Sequence, residues 1–240
     1  MKRNLFQLRY GIIVACDVES IDRFRRILEE TSSIEGIVGY KIGCLLVLRY
    51  GLSQLMETTK ETTDLPVIYD HQKAGTDIPQ LGEDFAQVCA DGEVSGVIVF
   101  PQSGPVTEDA FISALLKRDL VPIVGGEMTH PKYLSNDGGF IREDAPMEIY
   151  RIAAEKHVDH FVVPGNKPEV IRKYYNMLSP IVKKPKYCLP GIGRQGGDIK
   201  SAFRYLEEAA AYAIIGSGIY RQKNMGDAAR MFCREALDLI

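Results

Sequence analysis

Short apolar runs recur along the chain at nearly even intervals: "GIIVACD" (11–17), "GIVGYKIG" (36–43), "PVIYD" (66–70), "VSGVIVF" (94–100), "LVPIVGGE" (120–127), "DHFVVPG" (159–165), "KYCLPG" (186–191) and "AYAIIG" (211–216). Most are rich in Val and Ile and too uniformly apolar for half-exposed strands, which suits parallel strands covered on both faces. Amphipathic helical patterns lie between them. In "SIDRFRRILEE", Ile21, Phe24, Ile27 and Leu28 fall on one stripe, with Ser20 placed to cap the helix. "EDFAQVCA", "EDAFISALLKR", "MEIYRIAAEK", "PEVIRKYYNML" and "DIKSAFRYLEEAA" repeat the pattern. Eight runs in 240 residues is one per βα unit, and eight such units close into a (β/α)₈ barrel of about 250 residues. An open doubly wound sheet is the alternative, but no GxGxxG follows the first run. No linker, repeat or low-complexity segment divides the chain, so residues 1–240 are expected to form a single (β/α)₈ TIM barrel.

Composition changes this picture little. A net charge of −3, with 45% hydrophobic and 25% charged residues, describes an ordinary globular protein. No block of like charges offers an arm for nucleic acid. The scattered cysteines (Cys16, Cys44, Cys89, Cys188, Cys233) include no CxxC and read as small buried hydrophobes in a reducing compartment. The N-terminal "MKRNLFQLRYGIIVACD" has basic residues before an apolar run, but that run is short and ends at Asp17, so it reads as a first strand and not a leader. No segment approaches the roughly 18–20 apolar residues of a membrane span. A cytoplasmic protein is expected.

Chemistry in a barrel collects where strands end and βα loops begin, and the polar residues fall there. Asp17 ends the first run, Lys41 lies near the end of the second, and Asp70 ends the third, with His71, Lys73 and Asp77 just beyond. "GEMTHP" (126–131), "PGIGRQGGD" (190–198) and "GSGIY" (216–220) follow the fifth, seventh and eighth runs. Any one aspartate at a strand end could be a helix cap or turn former; polar residues at most of the strand ends together indicate a site. Gly191, Gly193, Gly196, Gly197, Gly216 and Gly218 flank the corner between the last two strands. They are either ordinary turn glycines or the means by which backbone N–H groups approach a phosphate, whose usual place in such barrels is this corner. Lys41, Asp70, Lys73 and Asp77 alternate in charge, so each acid can hold a lysine protonated. Such a lysine is a poor Schiff-base nucleophile but a good proton donor or carbanion stabiliser. A structural ion-pair cluster at the rim is the bland alternative. His71 and His130 read as loop-orienting residues, since no third ligand is spaced for a metal.

These residues resemble, in order and over essentially the whole chain, the orotidine 5′-monophosphate decarboxylase family. Asp17 is similar to the family's strand-1 aspartate, which holds a ribose hydroxyl, and Lys41 in "YKIG" to its strand-2 lysine. "DHQKAGTDIP" resembles the Asp-x-Lys-x-x-Asp-Ile-Pro signature, and "GEMTHP" the Glu-Met-Ser-His-Pro loop that meets the pyrimidine, with Thr129 at the serine position. "VVPGNKPE" is similar to strand 6, and "PGIGRQGGD" to the Gln-Gly-Gly-Asp phosphate loop, which would set Gln195 and Gly196 against substrate. The resemblance implies loss of CO₂ from C6 of orotidine 5′-monophosphate to give UMP, without metal or organic cofactor. It implies Lys73 as the group that stabilises and protonates C6, Asp70 near the departing carboxylate, and Lys41 and Asp77 completing the network. It also implies a homodimer in which Asp77 enters the partner subunit's site.

The chain departs from the family pattern in two places. The triad is spaced D-x-x-K-x-x-x-D, so Asp70 and Lys73 would point to opposite faces of an extended strand. A backbone kink between them is expected, with Gly75 easing the second extra residue. After the last strand the family has Gly-Arg-Ser where this chain has Gly216-Ser217-Gly218. Arg194 is the candidate to replace the missing phosphate arginine, ahead of Arg221. Two other functions stay open: an Mg²⁺-dependent sugar-phosphate decarboxylase or aldolase of the same superfamily, against which Asp77-Ile78-Pro79 argues, and a nucleotide- or phosphate-binding barrel without catalysis.

Overall fold

The structure, a computed structural model, describes residues 5–72, 76–206 and 208–239. The chain runs β1 (Tyr10–Ala15), α1 (Ile21–Thr31), β2 (Ile37–Gly43), α2 (Cys44–Tyr50), α3 (Leu52–Lys60), β3 (Val67–Asp70), α4 (Gly82–Asp91), β4 (Gly96–Val99) and α5 (Pro105–Lys117). It continues β5 (Val121–Gly125), α6 (Ala145–Glu155), β6 (His160–Val162), α7 (Pro168–Leu178), β7 (Lys186–Pro190), α8 (Ile199–Phe203), β8 (Ala210–Ile215), α9 (Ser217–Tyr220) and α10 (Met225–Leu237). All neighbouring strands are parallel, and β8 pairs back on β1 with Tyr10 beside Ala211, closing the barrel in the expected order.

Because the strands are covered on both sides, their alternate residues enter two separate apolar clusters. Ile13, Ile68, Ile98, Ile123, Val162, Cys188, Tyr212 and Ile214 pack inside the barrel. Ile12, Val14, Tyr40, Ile42, Val67, Tyr69, Val97 and Val124 pack outward against the helices. Phe6 fills the barrel end remote from the strand C-termini, its ring 4.4 Å from that of Tyr212. Gly125 is required at its position: a Cβ there would lie 2.2 Å from the Phe100 ring.

The described strands stop earlier than the apolar runs. Asp17, Phe100, Glu127 and Gly216 lie beyond the last paired residues, where the chain turns out of the barrel wall. Ser20 caps α1 as expected, accepting from the Arg23 N–H at 3.3 Å. Asp198 of "QGGD" caps α8 in the same way, accepting from the Ser201 N–H at 2.9 Å. Four helices, α2, α3, α9 and α10, fall outside the helical patterns read from the sequence. α2 carries exposed Leu45 and Leu48 on its outer face, so its apolar residues do not trace one side. α3 follows it across a single glycine, Gly51 (φ +77°). α10 buries Met225 and the small residues Gly226, Ala229, Cys233 and Ala236 on one face. No cysteine is in a disulfide, and four are buried; Cys44, at the start of α2, is exposed, because that turn faces out of the barrel mouth. Among the described residues, no helix is long and apolar enough to cross a membrane.

Candidate active site

Strand parity delivers the first two charged residues. Lys41 lies between outward-facing Tyr40 and Ile42, and Asp70 follows outward-facing Tyr69, so both point into the barrel. Register places Lys41 beside Ala15 of β1 and Ile68 of β3, and Gly43 beside Asp70. The Lys41 Nζ therefore sits at the top of the interior, 3.0 Å from Asp17 Oδ1 and 2.8 Å from Asp70 Oδ2. Lys41 and Asp70 are buried at 6% and 8% exposure, whereas the Asp17 side chain is 47% exposed. Burial alone would push the lysine's pKa down, but the two carboxylates outweigh it and hold the ammonium above the ordinary lysine value. The remaining oxygen of Asp70, Oδ1, is buried without a hydrogen-bond partner among the described residues. Gly43 makes room for this chain of charges, since a Cβ there would stand 2.7 Å from Asp17 Oδ1.

Above these residues opens a cavity of about 290 Å³. Asp17, Lys41 and Asp70 line one side; Thr129, Arg194, Gln195, Gly216, Ser217 and Gly218 line the other. Ile98, Phe100, Val162 and Ile214 form an apolar floor between them. The cavity thus has a charged end and a hydroxyl, amide and guanidinium end above a shared apolar floor.

The glycines of the β7–α8 loop have a more local role than their composition suggests. Gly193 donates to the Gly197 carbonyl at 2.8 Å, Gly196 to the Gly193 carbonyl at 2.9 Å and Gly197 to the Gly191 carbonyl at 3.2 Å. Three of the four N–H groups that composition offered to an anion are therefore spent on the turn. Gly196 has φ +89° and does not line the cavity; its contribution is conformational. Polar reach into this corner comes from the Arg194 and Gln195 side chains. Arg221, the other candidate cation, does not line the cavity; it lines an adjoining groove with Lys223 and Asn224, which shares Arg194, Ser217 and Gly218 with the cavity.

Lys73, and the expected kink before it, lie outside the described residues. Asp77 is exposed and lines neither the cavity nor the groove beside it. Its Oδ1 accepts from the Ile78 N–H at 2.7 Å, and its carbonyl accepts from the Thr107 hydroxyl at 3.1 Å. His71 contacts the Tyr69 hydroxyl and the Phe85 ring, and His130 Nδ1 lies 2.9 Å from the Pro131 carbonyl. His71 thus joins the end of β3 to α4, while His130 stays within its own loop. Glu127 is the charged cavity residue to which the sequence reading gave no role; Gln72 and Tyr220 also line the cavity. Glu127 is 4% exposed and its carboxylate is held by Lys167 Nζ at 2.9 Å and the Tyr174 hydroxyl at 2.7 Å. The available signal was an acid closing an otherwise apolar run.

Comparison with known proteins bears on all of this. Residues 11–232 match the model of the orotidine 5′-phosphate decarboxylase / HUMPS family. The orotidine 5′-phosphate decarboxylase of Methanococcus maripaludis strain S2 is 31% identical over 224 residues, 92% of this chain and 94% of that protein. That of Pyrococcus abyssi is 31% identical over 91% of this chain and 95% of its own length. Among solved structures, the orotidine 5′-monophosphate decarboxylase of Methanocaldococcus jannaschii, complexed with the inhibitor BMP, superposes with a TM-score of 0.81 at 26% identity, covering 94% of this chain and 98% of that one. With a closed eight-stranded barrel, charged residues at its mouth and a family match over nearly its whole length, the chain belongs to the orotidine 5′-phosphate decarboxylase / HUMPS family.

Proposed function

We propose that this decarboxylase converts orotidine 5′-monophosphate to UMP by electrostatics alone, with no metal or organic cofactor. In this reading the C6–carboxylate bond breaks, CO₂ leaves, and the bonding electron pair stays on C6. Lys73 stabilises that developing charge and donates a proton to C6, and a solvent proton restores the lysine. Asp70, whose second carboxylate oxygen is left over from its pair with Lys41, stands against the departing carboxylate. Lys41 holds Asp70 and Asp17 in place, and Asp17 takes a ribose hydroxyl. Thr129 and Gln195 meet the base, and Arg194, Gln195, Ser217 and the Gly216 and Gly218 turn hold the phosphate. Binding energy from the phosphate end is then available at the reacting carbon.

The single observation that carries the reading is the Asp17–Lys41–Asp70 chain of charges at the barrel mouth, with Lys41 and Asp70 buried. A buried lysine paired with two acids is costly to assemble and is a weak device for stability, but it supplies preorganised charge at a reacting centre. The proposal includes a homodimer in which Asp77 serves the partner's site. Two features support it: Asp77 turns away from its own chain's cavity, and an apolar groove lined by Cys44, Leu45 and Leu48 opens beside Lys41 and Asp70.

The test is UMP formation from orotidine 5′-monophosphate by EDTA-treated protein, beside a Lys73→Ala variant. Turnover that survives EDTA and is lost in the variant is the expected result. Turnover restored only by Mg²⁺, or an active Lys73→Ala protein, would overturn the mechanism.

A further inference from the structure

The wall of the cavity that carries Thr129 is not part of a strand. β5 ends at Gly125, and the paired backbone of the barrel does not reach Met128 or Thr129. A segment in this position needs other anchors, and side chains supply them. The Tyr133 hydroxyl donates to the Gly126 carbonyl at 3.2 Å, Lys167 Nζ to the Met128 carbonyl at 3.1 Å, and Asn166 Nδ2 to the Thr129 carbonyl at 3.3 Å. Two of the three anchors come from the β6–α7 loop. The same Lys167 ammonium pairs with Glu127 at 2.9 Å, and the other Glu127 oxygen accepts from Tyr174 of α7 at 2.7 Å. Both oxygens of a carboxylate that is 4% exposed are thus taken by groups from the next βα unit.

Each oxygen of the Glu127 carboxylate already holds a donor from the next βα unit, so the group is committed to that contact. Its effect is to fix Lys167, and through Lys167 the Met128 carbonyl, so that Met128 and Thr129 face the cavity from one position. We propose that the Glu127–Lys167 pair is a positioning device for the base-facing wall of the site, acting through Met128 and Thr129 and not by touching substrate. This rests on the assignment of the base to the Thr129 side made above. Loss of the lysine frees the Met128 carbonyl and leaves Glu127 buried beside Tyr174 alone, so the wall loses a fixed geometry, and misplacement by about 1 Å can cost about 100-fold in rate.

The test compares Lys167→Met and Lys167→Arg with wild type on two substrates, orotidine 5′-monophosphate and orotidine, which lacks the phosphate. Lys167→Met is expected to lower kcat/KM by about tenfold or more, by the same factor on both substrates, and Lys167→Arg, which keeps a cation for Glu127, to recover most of it. A loss confined to the phosphorylated substrate would reassign Lys167 to the phosphate end and overturn the proposal, as would no loss at all. A second readout needs no turnover: amide hydrogen exchange of residues 126–134 is expected to speed up in Lys167→Met while β1 and β2 exchange as in wild type. Unchanged exchange there overturns the clamp whatever the substrate. Wild-type protein that fails to turn over, with faster exchange in the variant, would instead sink the functional assignment and leave the clamp standing.

Discussion

Replacing Lys41 by Met tests whether the buried charges act as described. Lys41 satisfies two acids of unlike exposure. The Asp17 carboxylate, half exposed, recovers water when its cation is lost, so that half of the network is worth at most about 1 kcal/mol. Asp70 is 8% exposed, and one of its oxygens already has no partner among the described residues. Removing Lys41 leaves it a buried carboxylate with no cation within reach from β2, a loss of about 3–5 kcal/mol. Lys41→Met should therefore destabilise by that amount in urea unfolding at fixed protein concentration. Adding Asp70→Asn should restore about 2 kcal/mol or more, because the orphaned charge is gone. The pH dependence follows from the same argument. In wild type the lysine's folded-state pKa is raised, so its contribution is complete below the ordinary lysine value and is lost only as pH climbs through the raised one. Stability from this pair is flat between about pH 6 and 9. A variant within about 1 kcal/mol of wild type, or one that Asp70→Asn does not rescue, would refute the reasoning.

Arg194→Ala should raise KM for orotidine 5′-monophosphate by about tenfold or more and leave turnover of orotidine unchanged, whereas Arg221→Ala should change neither; steady-state kinetics of the two variants decides between them. Gly43→Ala would put a methyl 2.7 Å from Asp17 Oδ1 and move that carboxylate off Lys41; kcat/KM should fall while unfolding free energy changes by no more than about 1 kcal/mol. Glu108 of α5 is 1% exposed, and burial, only partly offset by Arg151, raises its carboxyl from 4.5 to about 8. The folded state then keeps a proton that the unfolded chain releases, so wild-type stability falls as pH rises from about 4.5 to about 8. Glu108→Gln should flatten that slope by up to about 4 kcal/mol between urea titrations at about pH 5 and 8; parallel curves for the two proteins would contradict the assignment.

Much of the fold is legible in the sequence because parallel barrel strands are buried on both faces and are spaced by the length of one helix. That regularity makes the runs easy to count and gives their order. The same property hides which residues face inward: with Tyr40, Ile42, Val67 and Tyr69 as apolar as Ile68 and Ile98, no alternation marks the interior. Helix α2 was hidden for a related reason, since exposed Leu45 and Leu48 blur the contrast on which the pattern depends.

At the site, the sequence by itself determined which residue types stand at or near the strand ends: Asp17, Asp70, Thr129, Arg194 and Gln195, each following or closing an apolar run, and Lys41 two residues before the end of its own. That information is local, because a strand must end where polar residues begin. Only the tertiary structure decided their partners. Ring closure sets the stagger that brings Lys41 between acids from two neighbouring strands, places Arg194 in the cavity and Arg221 outside it, and joins Glu127 to Lys167 across forty residues of chain. These are distances between elements remote in sequence. They depend on register and on which face of each strand turns inward, quantities that a chain acquires only when its strands pair.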